Sequence, residues 1–198
     1  MHISEGVLSA PVLITGAALT ATAVGIGLKK MDYDRIPQVA ILSSVFFVAS
    51  LIHVPIGPAN AHLIMNGLTG LLLGLSAFPA ILVGLILQAI LFQFGGITTL
   101  GINTFNMAFP ALICFYLFRN GIRHKNPVVI SVCAFGSGFT AVFLSGAFVA
   151  TSLIFSEESF INIAKLILVA HLPVMIIEGI FTAFCIGFLK KVRPEIIG

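Results

Sequence analysis

The chain has 198 residues, of which 59% are hydrophobic and only 9% charged, and its mean hydropathy is +1.14. A soluble domain of this size carries about a quarter of its residues charged, so a water-soluble fold is excluded and a single membrane domain, residues 1–198, is expected. The formal charge of +3 does not indicate a nucleic-acid partner. Nine of the ten Lys and Arg residues fall in three clusters (Lys29, Lys30, Arg35; Arg119, Arg123, Lys125; Lys190, Lys191, Arg193), without the interleaved aromatic pattern that nucleic-acid binding would show, and such clusters read as cytoplasmic loop signals.

The chain opens Met1-His2-Ile3-Ser4-Glu5-Gly6. The Met1 amine, the His2 backbone nitrogen and His2 Nδ1 can close two fused chelate rings around one ion. A fourth donor would complete a square, the geometry that nickel(II) and copper(II) favour and magnesium does not. The apolar run that follows is about a full span, with its charges after it, so a cleavable signal peptide is not expected.

Seven apolar segments follow in order: Val7–Leu28, Ile36–Val54, Ala61–Leu75, Phe78–Phe94, Asn103–Phe118, Pro127–Phe155 and Phe160–Leu189. With about 20 residues per span, they predict an all-α polytopic fold of seven transmembrane helices, or six if the short third one does not cross. The basic clusters follow segments one, five and seven. Seven spans therefore put the C-terminus in the cytoplasm and the N-terminus outside, with Glu157-Glu158 on the outer side. No phosphate loop of the G-x-x-x-x-G-K-[ST] type is present, so energy for uphill transport would come from a partner or an ion gradient.

Five histidines punctuate these segments. His62, where the Pro55-Gly57-Pro58 loop feeds a helix start, is the expected fourth ligand, with His53 as its rival. His124 lies in a basic loop and is expected to be solvated. Gly70 and Gly74 form a close-packing G-x-x-x-G face. Gly95-Gly96 and Gly101 mark a tight re-entrant turn whose Thr98, Thr99, Asn103 and Asn106 would satisfy backbone groups and orient imidazoles. Glu5 is expected to pair or cap near the site. His171 and Glu178, seven apart in the last segment with Pro173 between them, suit an interhelical polar clamp. Cys114, Cys133 and Cys185 stand singly in apolar runs and read as buried hydrophobes.

Met1-His2-Ile3-x-Glu5-Gly6, Ala61-His62 and Gly95-Gly96-Ile97-Thr98-Thr99-Leu100-Gly101-Ile102-Asn103-x-x-Asn106-Met107 together resemble the substrate-binding membrane component of energy-coupling-factor transporters for cobalt and nickel. The resemblance covers essentially the whole chain. It implies seven helices with the N-terminus inserted into their core, and ligation by the Met1 amine, the His2 amide and imidazole, and His62. It also implies a non-enzymatic subunit of the prokaryotic cytoplasmic membrane. That subunit would carry nickel or cobalt as cargo, need no organic cofactor, and work with a transmembrane coupling protein, two ATP-hydrolysing cassettes and sometimes a small accessory membrane subunit. Planar nitrogen ligation favours nickel over cobalt. Two other readings compete. A membrane haem or quinone redox subunit would use His53, His62 and His171, and an intramembrane metallohydrolase would need an H-E-x-x-H motif that the chain lacks.

Overall fold

The computed structural model describes residues 2–56 and 59–197, with residues 53–56 and 59–61 followed in backbone only. Among these residues the chain forms eight α-helices: α1 (Ala10–Lys29), α2 (Ile36–Ala49), α3 (Asn66–Leu73), α4 (Ala77–Phe92), α5 (Leu100–Ile122), α6 (Pro127–Ser156), α7 (Ile161–Ala170) and α8 (Leu172–Val192). Proline at the first or second position opens α1, α2, α6 and α8, where its missing N–H costs nothing and its φ is already helical. The Asn126 side chain accepts from the Val128 N–H at 2.9 Å and caps α6.

A short antiparallel hairpin, β1 (His53–Ile56) with β2 (Ala59–His62), interrupts the helices and pairs His53 with His62 in register. His62 thus ends a strand. It does not start a helix, as the sequence reading has it, because α3 begins only at Asn66.

Five stretches are long and apolar enough to cross a membrane: 10–29, 66–92, 100–122, 127–156 and 158–192. Seven separate spans are not what the described residues show. Helix α2 has 14 residues and α3 has 8. At 1.5 Å per residue these rise about 21 and 12 Å, short of a hydrocarbon core of about 30 Å.

The stretch 66–92 is not one straight rod. A straight helix from position 62 to 94 would separate its ends by about 48 Å, yet the rings of His62 and Phe94 lie 6.1 Å apart. The reversal falls at Gly74, whose φ of 58° suits glycine. At this turn Arg35 Nη2 donates to the Leu72 carbonyl at 2.7 Å.

Helix α3 is the centre of the bundle, and all eight of its residues are buried. It can sit there because it presents glycine to its neighbours. A Cβ on Gly67 would come within 2.7 Å of Gly138 Cα in α6, and one on Gly70 would overlap the Ala111 carbonyl in α5. The close-packing pair is therefore Gly67 and Gly70, and Gly74 serves the turn. Outward faces are apolar, as at Ile14, Val132 and Phe184, and suit lipid.

Glu178, on α8 and fully buried, caps α3 from outside. Its Oε1 accepts from the Ile64 N–H and, at 2.9 Å, from the Met65 N–H. Met65 has a left-handed φ of 59°, so the chain arrives with its N–H groups turned toward α8. Glu178→Leu would leave both donors buried without an acceptor, at about 1–3 kcal/mol each. Thermal unfolding in neutral detergent should fall by at least about 5 °C, and by less for Glu178→Gln, which keeps one acceptor oxygen.

Candidate metal centre

The N-terminal segment does not trail into solvent. Ile3 and Leu8 are buried in an apolar cluster with Ile102 of α5 and Val149 and Leu153 of α6, and the Ser9 N–H donates to Ser156 Oγ at 3.1 Å. Burying two aliphatic side chains stabilises this docking by about 1.5–3 kcal/mol each. Polar contacts fix its register. Asn103 accepts the Ile3 N–H at Oδ1 and donates from Nδ2 to the Ile3 carbonyl, both at 3.0 Å. Its amide takes the place of a neighbouring strand.

The loop after α4 is shaped to receive this segment. Gly95 has a φ of +77°, and a Cβ there would stand 2.9 Å from Asn103 Nδ2. A Cβ on Gly96 would overlap the Glu5 side chain. The Glu5 carboxylate accepts the Thr98 N–H at 3.0 Å, and this bond holds its pKa below the usual carboxylate value. Glu5 is thus a tether to the loop. The sequence-predicted Asn106 turns elsewhere, donating to Ser152 Oγ at 3.2 Å between α5 and α6.

Held this way, His2 meets His62. Their rings lie 4.9 Å apart, and His62 Nε2 faces His2 Nδ1 at 3.1 Å. The outer nitrogens decide what this contact is. His62 Nδ1 lies 2.8 Å from the Leu63 carbonyl, which only accepts, so Nδ1 carries the proton. His2 Nε2 lies 2.7 Å from Gln88 Oε1, so there Nε2 carries it. With both rings neutral, the two facing nitrogens each present a lone pair. Two acceptors aimed at one another need a proton or a cation between them. Burial pushes the His2 pKa well below the usual imidazole value, and the nearby His62 adds to this, so a permanent imidazolium is disfavoured there.

Phe94 walls the pair, parallel to the His62 ring within 3° and 5.9 Å from the His2 ring. It reaches them because Gln93 ends α4 in a left-handed turn and the Phe94 N–H donates to the Gln88 carbonyl. Gln88 and Phe94 are the site residues that sequence reasoning missed. Gln88 left a signal: it is the sole polar side chain of α4, and it is buried to 1% exposure.

The other candidates lie apart from this arrangement. His171 Nδ1 bonds the Ile167 carbonyl one turn back at 2.7 Å, and Glu178 caps α3, so each has its own partner. The rival ligand His53 stands opposite His62 in the hairpin, and its side chain, like Met1 as a whole, lies outside the described residues. The loop residue His124 accepts the Asn126 N–H at its Nδ1. No three His, Cys, Asp or Glu side chains come together among the described residues. Among the described residues, His2 and His62 are thus the imidazoles that could share one ion.

Asn103→Ala tests the tether. It frees both Ile3 backbone groups, and loss of such an orienting partner costs about 10–100-fold in metal affinity. Calorimetric titration with nickel should show that loss with helix content unchanged.

Over residues 2–196 the chain matches the family described as CbiM, cobalt uptake substrate-specific transmembrane region. A Haemophilus influenzae protein named for metal transport is 40% identical, covering 100% of this chain and 97% of its own length. The cobalt transport protein CbiM of Kyrpidia tusciae is 30% identical over 100% of this chain and 86% of its own. An Archaeoglobus fulgidus protein named for fused nickel transport, NikMN, is 27% identical over 100% and 68%. A crystal structure of a transition metal transporter superposes with a TM-score of 0.78 at 27% identity, covering 97% of this chain and 93% of that one. The chain belongs to the CbiM family, multi-pass metal transporters of the cell membrane and not enzymes.

Proposed function

We propose that this chain captures nickel, and also cobalt, at the His2–His62 site and is the substrate-specific subunit of an ATP-driven energy-coupling-factor importer. The observation that carries the reading is the 3.1 Å approach of His62 Nε2 to His2 Nδ1, where the outer hydrogen bonds of the two rings leave each facing nitrogen a lone pair. Bonds from a transition ion to imidazole nitrogen run about 2.0–2.1 Å, so two of them at a right angle set their nitrogens about 2.9 Å apart. In a chelate built from the Met1 amine, the His2 amide nitrogen and His2 Nδ1, the amide sits in the middle. The fourth corner of the square is then opposite the amide and adjacent to Nδ1, and His62 Nε2 suits that corner. Glu5, Thr98 and Asn103 hold the chelating segment in place, Gln88 and the Leu63 carbonyl set the tautomers, and the planar all-nitrogen set favours nickel.

Seven traverses with the N-terminus outside fit this role. The chain then passes from face to face along α1, α2, α3, α4, α5, α6 and the α7–α8 pair, the short α2 and α3 being continued by the non-helical residues 50–52 and 63–65 and α3 enclosed by its neighbours. The three basic clusters lie on the cytoplasmic side and the histidines near the outer face, where scarce metal is met. Partners supply the energy: a transmembrane coupling protein and two ATP-hydrolysing cassettes, joined in some such transporters by a small accessory membrane subunit.

Proton competition tests the site. A free α-amine has an intrinsic pKa of about 7.7–8.0, and both it and the His2 amide must lose a proton to bind. His2 is neutral at neutral pH, because its pKa is depressed, and adds no further proton until the solution is well acidified. Below about pH 7.7 two protons compete per ion, and nickel affinity should drop about a hundredfold per pH unit. Equilibrium dialysis across pH 6–8 reads this slope, and a flat profile would contradict the chelate.

A further inference from the structure

The end of the bundle far from the histidines carries a second site. Arg123 follows the last turn of α5, and Asn103 beside the histidines lies about 30 Å back along that helix. Here the start of α6 and the end of α8 enclose a groove of about 780 Å³. Its rim carries Arg123 and Lys125 from the connection between α5 and α6 and Lys190 and Lys191 from the end of α8, and no Asp or Glu lines it. Among the described residues the one ion pair is Arg193 with Glu195, so no carboxylate neutralises these four cations. Arg123 is also positioned, since its Nε donates to the Ile197 carbonyl at 3.1 Å.

The floor has the opposite character. Ile130, Phe184 and Phe188 line it, and Gly187 leaves a gap, with nothing within 4 Å of where a Cβ would be. Phe184 is 70% exposed and Val132 on α6 is 64% exposed. Such apolar exposure on membrane-crossing helices faces acyl chains, so the groove opens where lipid already lies. A topology signal requires only that basic residues sit in the loops. It does not require two segments far apart in sequence to gather four cations over an apolar cleft between two spanning helices.

We propose that this groove binds an anionic phospholipid, with its phosphate held by Arg123, Lys125, Lys190 and Lys191 and one acyl chain lying over Gly187. Charge complementarity selects the headgroup, as in other basic pockets at the ends of membrane helices. The apolar floor selects a lipid over a free anion.

The test uses the full chain in neutral detergent, titrated with phosphatidylglycerol or cardiolipin and followed by native mass spectrometry and thermal unfolding. Phosphatidylcholine controls for charge and inorganic phosphate for the headgroup alone. Anionic lipid should bind saturably and raise the unfolding temperature, while phosphatidylcholine and phosphate do neither. Lys125→Gln/Lys190→Gln/Lys191→Gln should weaken lipid binding at least about tenfold. Gly187→Leu, which has room for its side chain, should also displace the lipid by filling the cleft, with folding unchanged. Equal binding of phosphatidylcholine, an equal response to phosphate, or wild-type lipid affinity in both variants would overturn the proposal.

Discussion

His62→Ala is expected to lower nickel affinity by more than about a thousandfold while leaving the protein folded. The argument rests on what each nitrogen of the ring does. Nδ1 is committed to the Leu63 carbonyl at 2.8 Å, so Nε2 offers a lone pair toward His2 Nδ1. Alanine removes that donor and leaves one corner of the square to water. A residue that only orients a ligand costs about 10–100-fold when lost, and removing the ligand itself costs more. Gln88 supplies the comparison. It touches His2 only at Nε2, 2.7 Å away, and it sets the tautomer without reaching the ion. Gln88→Ala should therefore fall within the 10–100-fold range. Calorimetric titration of both variants, with circular dichroism for folding, gives the ranking. Equal losses at the two positions would remove His62 from the ligand set.

Much of this molecule was legible in its residues, and the parts that were not share a physical cause. The apolar runs marked the helices to within a few residues, because burial and lipid contact both demand them. The pairing of the N-terminal motif with His62 could be anticipated from the chemistry of a terminal chelate. The register was hidden. His53-Val54 read as the end of one apolar segment, Ala61-His62 as the start of the next and the residues between as a proline-glycine loop, and only tertiary pairing makes His53–Ile56 and Ala59–His62 a hairpin. Helix α3 is too short to span, and its burial depends on the backbones of Ala111 and Gly138 approaching Gly70 and Gly67, contacts 41 and 71 positions away in sequence. Gln88 had a local signal, a lone amide in an apolar helix. Its target, His2, is 86 residues earlier, and no spacing rule reaches that far. Glu178 is similar: seven residues from His171 it suggested a pair on one helix face, yet its partners are Ile64 and Met65 on another segment.

The second large effect concerns Met1. The metal reading assigns its α-amine a place in the square, beside the amide and imidazole nitrogens of His2. Acetylation of that amine removes the lone pair, adds few atoms and alters no side chain. It is a cleaner change than one extra residue, which would move His2 to third place and create a different four-nitrogen chelate. Without the amine, one of the two fused rings cannot close and the amide nitrogen loses the neighbour that helps it ionise. Affinity should then fall by more than about a thousandfold, as it does for His62→Ala. The decisive measurement is a nickel titration of the free-amine chain beside its Nα-acetylated form, followed by the absorption of planar nickel. One ion per free-amine chain with the planar spectrum, and neither in the blocked chain, is the predicted result. Equal affinity and the same spectrum in both would contradict the terminal chelate and leave the metal, if bound here, to side chains alone.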